Sequence, residues 1–167
     1  DKEKMPKEMR NKINDNKILN KICGKQVNLW GNFLVLADKL LKNNGKLGLV
    51  VPINIARGKA TQQIRDYILK NYTPIFIIKP IEDEAFSENS AFKDILFIAE
   101  KKKPTNDDYT TIVSIKSSIK NLERKIISHL ANELKNSRYS LKPKDDPMFE
   151  ISFVKTLELQ KHSQNLM

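Results

Sequence analysis

Residues 28–103 show the clearest periodic pattern of apolar and polar positions in the chain. From Leu29 to Lys42, apolar residues recur three or four positions apart, which predicts a helix with one buried face. The apolar positions of that face are Trp30, Phe33, Leu34, Ala37, Leu40 and Leu41. The sequence Asn43-Asn44-Gly45 predicts the end of this helix, because Asn and Gly adopt the left-handed capping conformation at low cost.

A strand and a second helix are predicted next. Leu47–Ile53 is a continuous apolar run, typical of a strand that is covered on both faces in a parallel sheet. Ile64, Tyr67 and Ile68 mark a helix that we expect to begin near residue 60 or 61 and to stop before Pro74. Strand–helix–strand units with short connections predict an α/β fold with a mostly parallel sheet.

Two further strands are predicted at Pro74–Lys79 and Phe92–Ala99. The loop between them, Ile81–Ala91, is polar and acidic and is interrupted by Phe86. Because the loop contains no predicted crossover helix, the two strands are expected to be antiparallel.

The flanking regions carry weaker patterns. Residues 1–26 are rich in Lys and poor in apolar anchors, so we expect a mobile segment with at most a short helix around residues 7–20. After Pro104 we expect a short strand at Tyr109–Ile115. The amphipathic helix predicted after that strand has its apolar positions at Ile119, Leu122, Ile126, Leu130 and Leu134. The last predicted elements are a basic loop with two prolines at Asn136–Pro147 and a weak strand at Phe149–Phe153.

The charge of the chain points to a polyanionic partner. Lys and Arg number 30 against 20 Asp and Glu, giving a formal charge of +10. Nucleic acid is the first candidate, and a basic soluble protein without such a partner is the alternative. We expect no membrane partner, because no apolar run approaches the roughly 20 residues of a spanning helix.

Cysteine usage and the N-terminus bound the compartment. Cys23 is the only cysteine, which excludes an internal disulfide and fits a reducing, cytoplasmic location. With only His129 and His162 beside it, we expect no zinc site and no other metal site. The N-terminus lacks the apolar core of a secretion signal, and its start at Asp1 suggests a position within a longer protein.

The order of these elements resembles the gamma-class adenine-N6 DNA methyltransferases of type I and type II restriction-modification systems. The resemblance covers about residues 28–103, and four segments carry it: Asn28-Leu29-Trp30-Gly31-Asn32-Phe33, Gly45–Pro52, Ile64–Leu69 and Ala85-Phe86 with Asp94–Ala99. It implies an α/β fold, the C-terminal half of a Rossmann-like S-adenosylmethionine-dependent methyltransferase sheet with an antiparallel terminal hairpin. Phe92–Ala99 should then lie between Leu47–Ile53 and Pro74–Lys79, antiparallel to both.

The resemblance also implies roles for two aromatic residues. Phe33 matches the aromatic that packs against the adenine ring of the cofactor S-adenosylmethionine, and Phe86 matches the one that stacks on a target adenine flipped out of the duplex. Each has a structural alternative: Phe33 as part of the core and Phe86 as a loop anchor under the sheet.

Further candidate site residues follow Leu47–Ile53, at the strand end where α/β sheets place ligands. Pro52 and Asn54 are candidates for substrate binding. Arg57, Lys59 and Arg65 are candidates for contacts with DNA phosphates, although a solvated surface charge is the alternative for each.

Two motifs of the resembled family are missing. The five glycines form no cofactor-binding strand–turn, and no Asn/Asp-Pro-Pro-Tyr/Phe sequence is present. In that family both motifs precede the helix that begins at Leu29, so no catalytic residue is assigned. Residues 1–27 would follow the catalytic loop, 28–103 would be the C-terminal half of the catalytic domain, and 104–167 would hold a linker helix and the start of a target-recognition region.

The partners implied are double-stranded DNA, the upstream remainder of the methyltransferase, and a specificity or restriction subunit. One alternative is a non-catalytic, basic DNA-binding or specificity module that retains part of a methyltransferase scaffold. Another is an unrelated α/β assembly protein that is basic only by composition.

Overall fold

A computed structural model of the protein describes residues 5–24, 29–56, 58–81, 84–87 and 93–161. Its helices are α1 (Lys7–Asn14), α2 (Lys17–Cys23), α3 (Leu29–Leu40), α4 (Gln62–Asn71), α5 (Arg124–Ser140) and α6 (Thr156–Lys161). Its strands are β1 (Lys46–Pro52), β2 (Thr73–Lys79), β3 (Asp94–Glu100), β4 (Tyr109–Ile115), β5 (Lys144–Asp145) and β6 (Phe149–Lys155). Short 3-10 turns lie at Ile53–Ile55, Lys59–Thr61 and Ile119–Asn121.

The six strands form one sheet in the order β1-β3-β2-β4-β6-β5. Strand β3 lies between β1 and β2 and is antiparallel to both, with Val51 opposite Ile95 and Ile77 opposite Phe97. The predicted insertion of this strand is therefore confirmed. A loop without a crossover helix can return the chain only in the antiparallel direction.

The sheet is less parallel than predicted. Among the described strands only β2 and β4 pair in parallel, whereas the other pairs are antiparallel. Strands β4 and β6, which follow Pro104, extend the same sheet. The expectation of a mostly parallel sheet was wrong because β3 runs antiparallel between β1 and β2, and β6 pairs antiparallel with β4.

One face of the sheet is covered by α3 and α4. Their buried residues Leu34, Val35, Ile64 and Ile68 join Val51 and other strand residues in one core cluster. Burial of this apolar surface, at about 25 cal/mol per Å², stabilises the layer.

The buried face of α3 is rotated from the predicted one. Phe33 and Leu40 are 64% and 77% exposed, whereas Val35 and Asp38 are buried. The rotation turns the Asp38 carboxylate toward Tyr67 and Tyr72, which both donate hydrogen bonds to it.

Strand β1 is covered on one face only, contrary to the prediction. Leu47 and Val51 are buried, but Gly48 and Val50, which point to the other face, are exposed. On that side of the sheet, the apolar residues of α5 pack over β4 and β6.

The second core cluster lies under α5. Leu130 and Leu134 of this helix pack against Val113, Phe149 and Ile151. The helix continues to Ser140, so the predicted loop at Asn136–Pro147 begins inside it. Arg138 anchors this last turn by donating to the carbonyl oxygens of Ile75 and Tyr109, each at 3.1 Å.

The N-terminal region holds two helices where one was expected. Asn16 separates them, because its side chain accepts hydrogen bonds from the amides of Ile18 and Leu19, each at 3.1 Å, and so caps α2. Cys23, at the end of α2, is buried and contacts the Gly31 carbonyl. Within the described ranges, no helix is long and apolar enough to cross a bilayer.

Candidate nucleic-acid interface

One edge of the sheet collects the ends of four strands. Strands β1, β2 and β4 finish there, and β3 begins there because it runs in the opposite direction. Pro52 at the end of β1 pairs with Asp94 at the start of β3, and the Ile53 amide donates to the Lys93 carbonyl at 2.9 Å. We call this the carboxyl edge; in α/β sheets it is the side on which ligands bind.

A cleft of about 510 Å³ lies at the carboxyl edge. Three lysines line it: Lys79, Lys93 and Lys116. Apolar side chains, among them Ile53 and Ile115, also line it. The volume lies within the roughly 300–1,000 Å³ of small-molecule sites.

The two carboxylates that line the cleft are hydrogen-bonded to backbone amides. Asp94, only 4% exposed, accepts from the Phe86 amide at 2.6 Å and the Ser87 amide at 3.0 Å. Glu84 accepts from the Ile119 amide at 2.5 Å. Hydrogen bonds from the Ser118 side chain and the Ile119 amide lower the pKa of Glu84. Both acids therefore fix loops at this edge.

Phe86 lies beside the cleft and does not line it. Its ring is half-buried and packs against the second core cluster. Asp94 holds the backbone of this residue. This position resembles the loop anchor of the structural alternative, and stacking on a base requires the ring to turn outward.

The candidate residues after β1 are exposed to different degrees. Pro52 is half-buried, whereas Asn54 and Lys59 are exposed. The Asn54 carbonyl accepts a hydrogen bond from Thr61 Oγ1 at 2.6 Å, which ties the two turns together. Arg57 lies outside the described residues.

Arg65 does not fit the predicted role of a surface phosphate contact. It is only 2% exposed, and its guanidinium donates to the Ile55 carbonyl at 3.1 Å and to Thr61 Oγ1 at 3.2 Å. Burial lowers the pKa of Arg65, partly offset by the charge of Asp66. The buried guanidinium therefore holds the two turns that follow β1 in place.

Phe33 is accessible, which fits its predicted role better than the core alternative. With Leu36 and Leu40 it forms an exposed apolar strip on α3, on the side of the helix away from the core. A flat aromatic face in such a strip can stack on a purine.

The opposite edge of the sheet holds a buried polar cluster that the sequence did not indicate as such. Asp38 accepts from Tyr72 at 2.6 Å and Tyr67 at 2.8 Å, and Lys101 Nζ lies 3.1 Å from its carboxylate. Burial alone would raise the pKa of Asp38, but these hydrogen bonds outweigh it and the pKa is lowered. Burial and the bond to Asp38 raise the pKa of Tyr67 to about 12. The sequence did carry a signal for this cluster. Asp38 is the one Asp on the apolar helix α3, and two tyrosines lie in and just after the next helix, α4.

Within the described part of the chain, no group of three or more His, Cys, Asp and Glu side chains could hold a metal ion. The candidate interface is therefore defined by its lysines, its apolar lining and its neighbouring aromatic residue.

The fold is shared with enzymes of restriction-modification systems. The type IIG restriction endonuclease BpuSI matches with a TM-score of 0.59 and 15% identity over 79% of this chain and 15% of its own. The type I restriction-modification methyltransferase subunit from Streptococcus thermophilus matches with a TM-score of 0.57 and 19% identity over 83% of this chain and 29% of its own. The chain thus spans less than a third of these proteins, and at such identities the likeness shows the fold alone.

Sequence comparison identifies the family. A search of curated proteins found no significant match. A family model described as Eco57I restriction-modification methylase matches residues 1–86, about half of the chain. That match begins before the predicted region of resemblance and ends at Phe86. The chain belongs to the Eco57I restriction-modification methylase family.

Proposed function

We propose that this chain is part of a DNA methyltransferase that transfers a methyl group from S-adenosylmethionine to N6 of a flipped adenine. The observation that carries the proposal is the antiparallel β3 inserted between β1 and β2, in a chain of a restriction-modification methylase family. In this reading the chain supplies the second half of the catalytic sheet, and an upstream segment supplies the catalytic loop.

The side of β1 that pairs with no described strand supports the proposal that an upstream segment supplies the other half of the catalytic sheet. Among the described strands, β1 pairs only with β3, so its other side carries unpaired backbone groups. Exposed apolar side chains lie nearby at Val50 on β1 and at Leu36 and Leu40 on α3. The unpaired side of an outer strand associates with further strands unless it is covered. We therefore infer that an upstream strand pairs with β1.

Phe33 and Phe86 are the proposed ring contacts. Phe33 would stack on the adenine ring of the cofactor, for which its exposed face is suited. Phe86 would leave its half-buried position and stack on the extruded adenine, because a base inside the duplex cannot be methylated at its amine. Pro52 and Asn54, which follow one another closely at the end of β1, would contact the substrate.

The remaining assignments concern the wider protein. Lys59 would contact a DNA phosphate, residues 1–27 would follow the catalytic loop, and residues 104–167 would lead toward a target-recognition region. The partners would be double-stranded DNA, the upstream half of the enzyme, and a specificity or restriction subunit. The protein would act in the cytoplasm.

Methyl transfer by the full-length protein tests the proposal. With labelled S-adenosylmethionine and adenine-containing duplex DNA, we expect label in the DNA and N6-methyladenine among its digested nucleosides. Label in cytosine would overturn the adenine assignment. DNA binding without methyl transfer would favour the non-catalytic specificity module.

A further inference from the structure

We propose that Lys79, Lys93 and Lys116 form a row that holds the phosphodiester backbone of one DNA strand in the cleft at the carboxyl edge. The inference rests on the proposed function in taking DNA as the polyanion. The row was not evident in the sequence, because its members are far apart along the chain and the sheet topology brings them together.

Each lysine stands at a strand end. Lys79 is the last residue of β2, Lys93 immediately precedes β3, and Lys116 immediately follows β4. These three strands are neighbours in the order β3-β2-β4. Because the carboxyl edge receives the ends of β2 and β4 and the start of β3, the three lysines share one edge and line one cleft.

The spacing of the row fits a nucleic-acid strand. Two strand separations of about 4.8 Å place the outer two lysines roughly 10 Å apart at the backbone. Successive phosphates along one DNA strand are separated by more than their rise of about 3.4 Å along the helix axis, because the backbone winds around that axis, so the row, with its flexible side chains, can contact two or three of them. Flexible lysine side chains adjust to such a backbone as point charges, without the fixed fork of arginine.

The two carboxylates that line the cleft are held in place by backbone amides of the neighbouring loops. Asp94 accepts from two backbone amides and Glu84 from a third, which fixes their oxygens on the loops. Lys116 pairs with Asp145, whose side chain is 80% exposed. A pair so exposed is worth little and can exchange for a phosphate.

The apolar part of the cleft complements the row. Ile53 and Ile115 line it together with Pro80, and all three lie at strand ends. A deoxyribose can pack on such a surface while its phosphates face the lysines. The cleft therefore fits a strand that lies along the edge, next to the Phe86 loop that the adjacent Asp94 holds.

Salt-dependent DNA binding by the full-length protein tests the row. Fluorescence anisotropy with a labelled duplex, over a series of salt concentrations, gives the slope of log affinity against log salt. Each of K79Q, K93Q and K116Q should reduce the steepness of this slope by about 0.9, the value for one lost phosphate contact. The reduction should be the same for unrelated DNA sequences, because phosphate contacts carry no sequence information.

K103Q is the matched control. Lys103 is exposed and lies just after β3, at the opposite edge of the same sheet. The K103Q substitution removes the same charge as each cleft variant. It should nevertheless leave the slope unchanged if the position of the lysine determines the contact. Equal slopes for the three cleft variants and K103Q would overturn the proposal. Displacement of DNA by inorganic phosphate at constant ionic strength would also overturn it, since the cleft would then select a free anion.

Failure of the row and failure of the proposed function give different results. Methyl transfer to DNA with unchanged slopes in the three variants would leave the function standing and remove the row. Reduced slopes in a protein that transfers no methyl group would keep the row and remove the enzymatic function.

Discussion

The two edges of the sheet use the same residue types in opposite ways. At the carboxyl edge the carboxylates of Asp94 and Glu84 bind backbone amides, and the lysines line an open cleft. At the opposite edge Lys101 is turned inward, where it pairs with Asp38 and donates to the Leu41 carbonyl at 3.2 Å. The comparison teaches that Lys count alone does not locate a binding surface. What matters is where each lysine stands in the fold and whether it faces a cleft or the interior.

The Phe86→Ala substitution has the largest expected effect, and it acts at the carboxyl edge. Base–aromatic stacking is worth about 1–3 kcal/mol. At 1.36 kcal/mol per tenfold change, methyl transfer by the full-length protein should fall by about 5- to 150-fold. Cofactor affinity should stay nearly constant, because Phe33 lies on a different element.

Phe86→Trp should retain most activity, since it keeps a π-face. If Phe86 only anchors its loop, the Ala variant should lose roughly 3–5 kcal/mol of stability, and activity, cofactor binding and melting temperature would then fall together. Measuring all three quantities on both variants separates a stacking residue from an anchor.

The Asp38→Ala substitution tests the opposite edge. It leaves the buried Tyr72 hydroxyl without its acceptor and Lys101 without its carboxylate partner. We expect a loss of about 2–4 kcal/mol in unfolding free energy, measured by denaturant titration of the full-length protein. Asp107→Ala, in an exposed turn, is the control and should change stability little. Equal stability of the two variants would contradict a structural role for this cluster.

The same cluster predicts a pH dependence. The folded-state pKa of Asp38 is lower than its ordinary 3.8, so the unfolded chain binds the proton more readily. The contribution of Asp38 is therefore fully present above that ordinary value and is lost as the pH falls through the lower folded-state pKa. The stability difference between the wild type and Asp38→Asn should shrink over this acidic range. A difference that grows on acidification would contradict the sign.

Arg65→Lys has a smaller expected effect and tests the corrected role of Arg65. Lysine cannot reproduce the guanidinium bonds to the Ile55 carbonyl and Thr61, so stability should fall by about 1–2 kcal/mol. The salt slope of DNA binding should not change, because the side chain is buried. A changed slope with unchanged stability would restore the phosphate contact.

Local sequence patterns predicted the positions of helices and strands better than which of their faces are buried. The antiparallel direction of β3 was predictable because the sequence between β2 and β3 predicts no crossover helix, and its position between β1 and β2 was implied by the family resemblance. The rotation of α3 was not, since its periodic pattern fits two overlapping faces and the bonds of Asp38 to Tyr67 and Tyr72 select one. Whether one or both faces of β1 are covered depends on the elements that pack against the sheet. The residues of the strand alone do not show which elements these are.

The residues predicted for the candidate site differ in their exposure. Phe33 is accessible, as its proposed contact with the cofactor requires. Arg65 was predicted to lie on the surface because a charged residue on an amphipathic helix is usually exposed. Its hydrogen-bond partners, which keep it buried, could not be identified from the sequence. The lysine row was missed because Lys79, Lys93 and Lys116 belong to three strands and meet only through the sheet order.

The most direct test of the contrast between the two edges is a side-by-side measurement of Lys79→Gln and Lys101→Gln in the full-length protein. Both substitutions remove one positive charge from a strand end. Lys79→Gln should make the salt slope of DNA binding less steep by about 0.9 and leave the melting temperature unchanged. Lys101→Gln should lower the melting temperature and leave the slope unchanged, because its charge is used within the protein. Identical slopes for the two variants would contradict the assignment of the carboxyl edge as the DNA-binding edge.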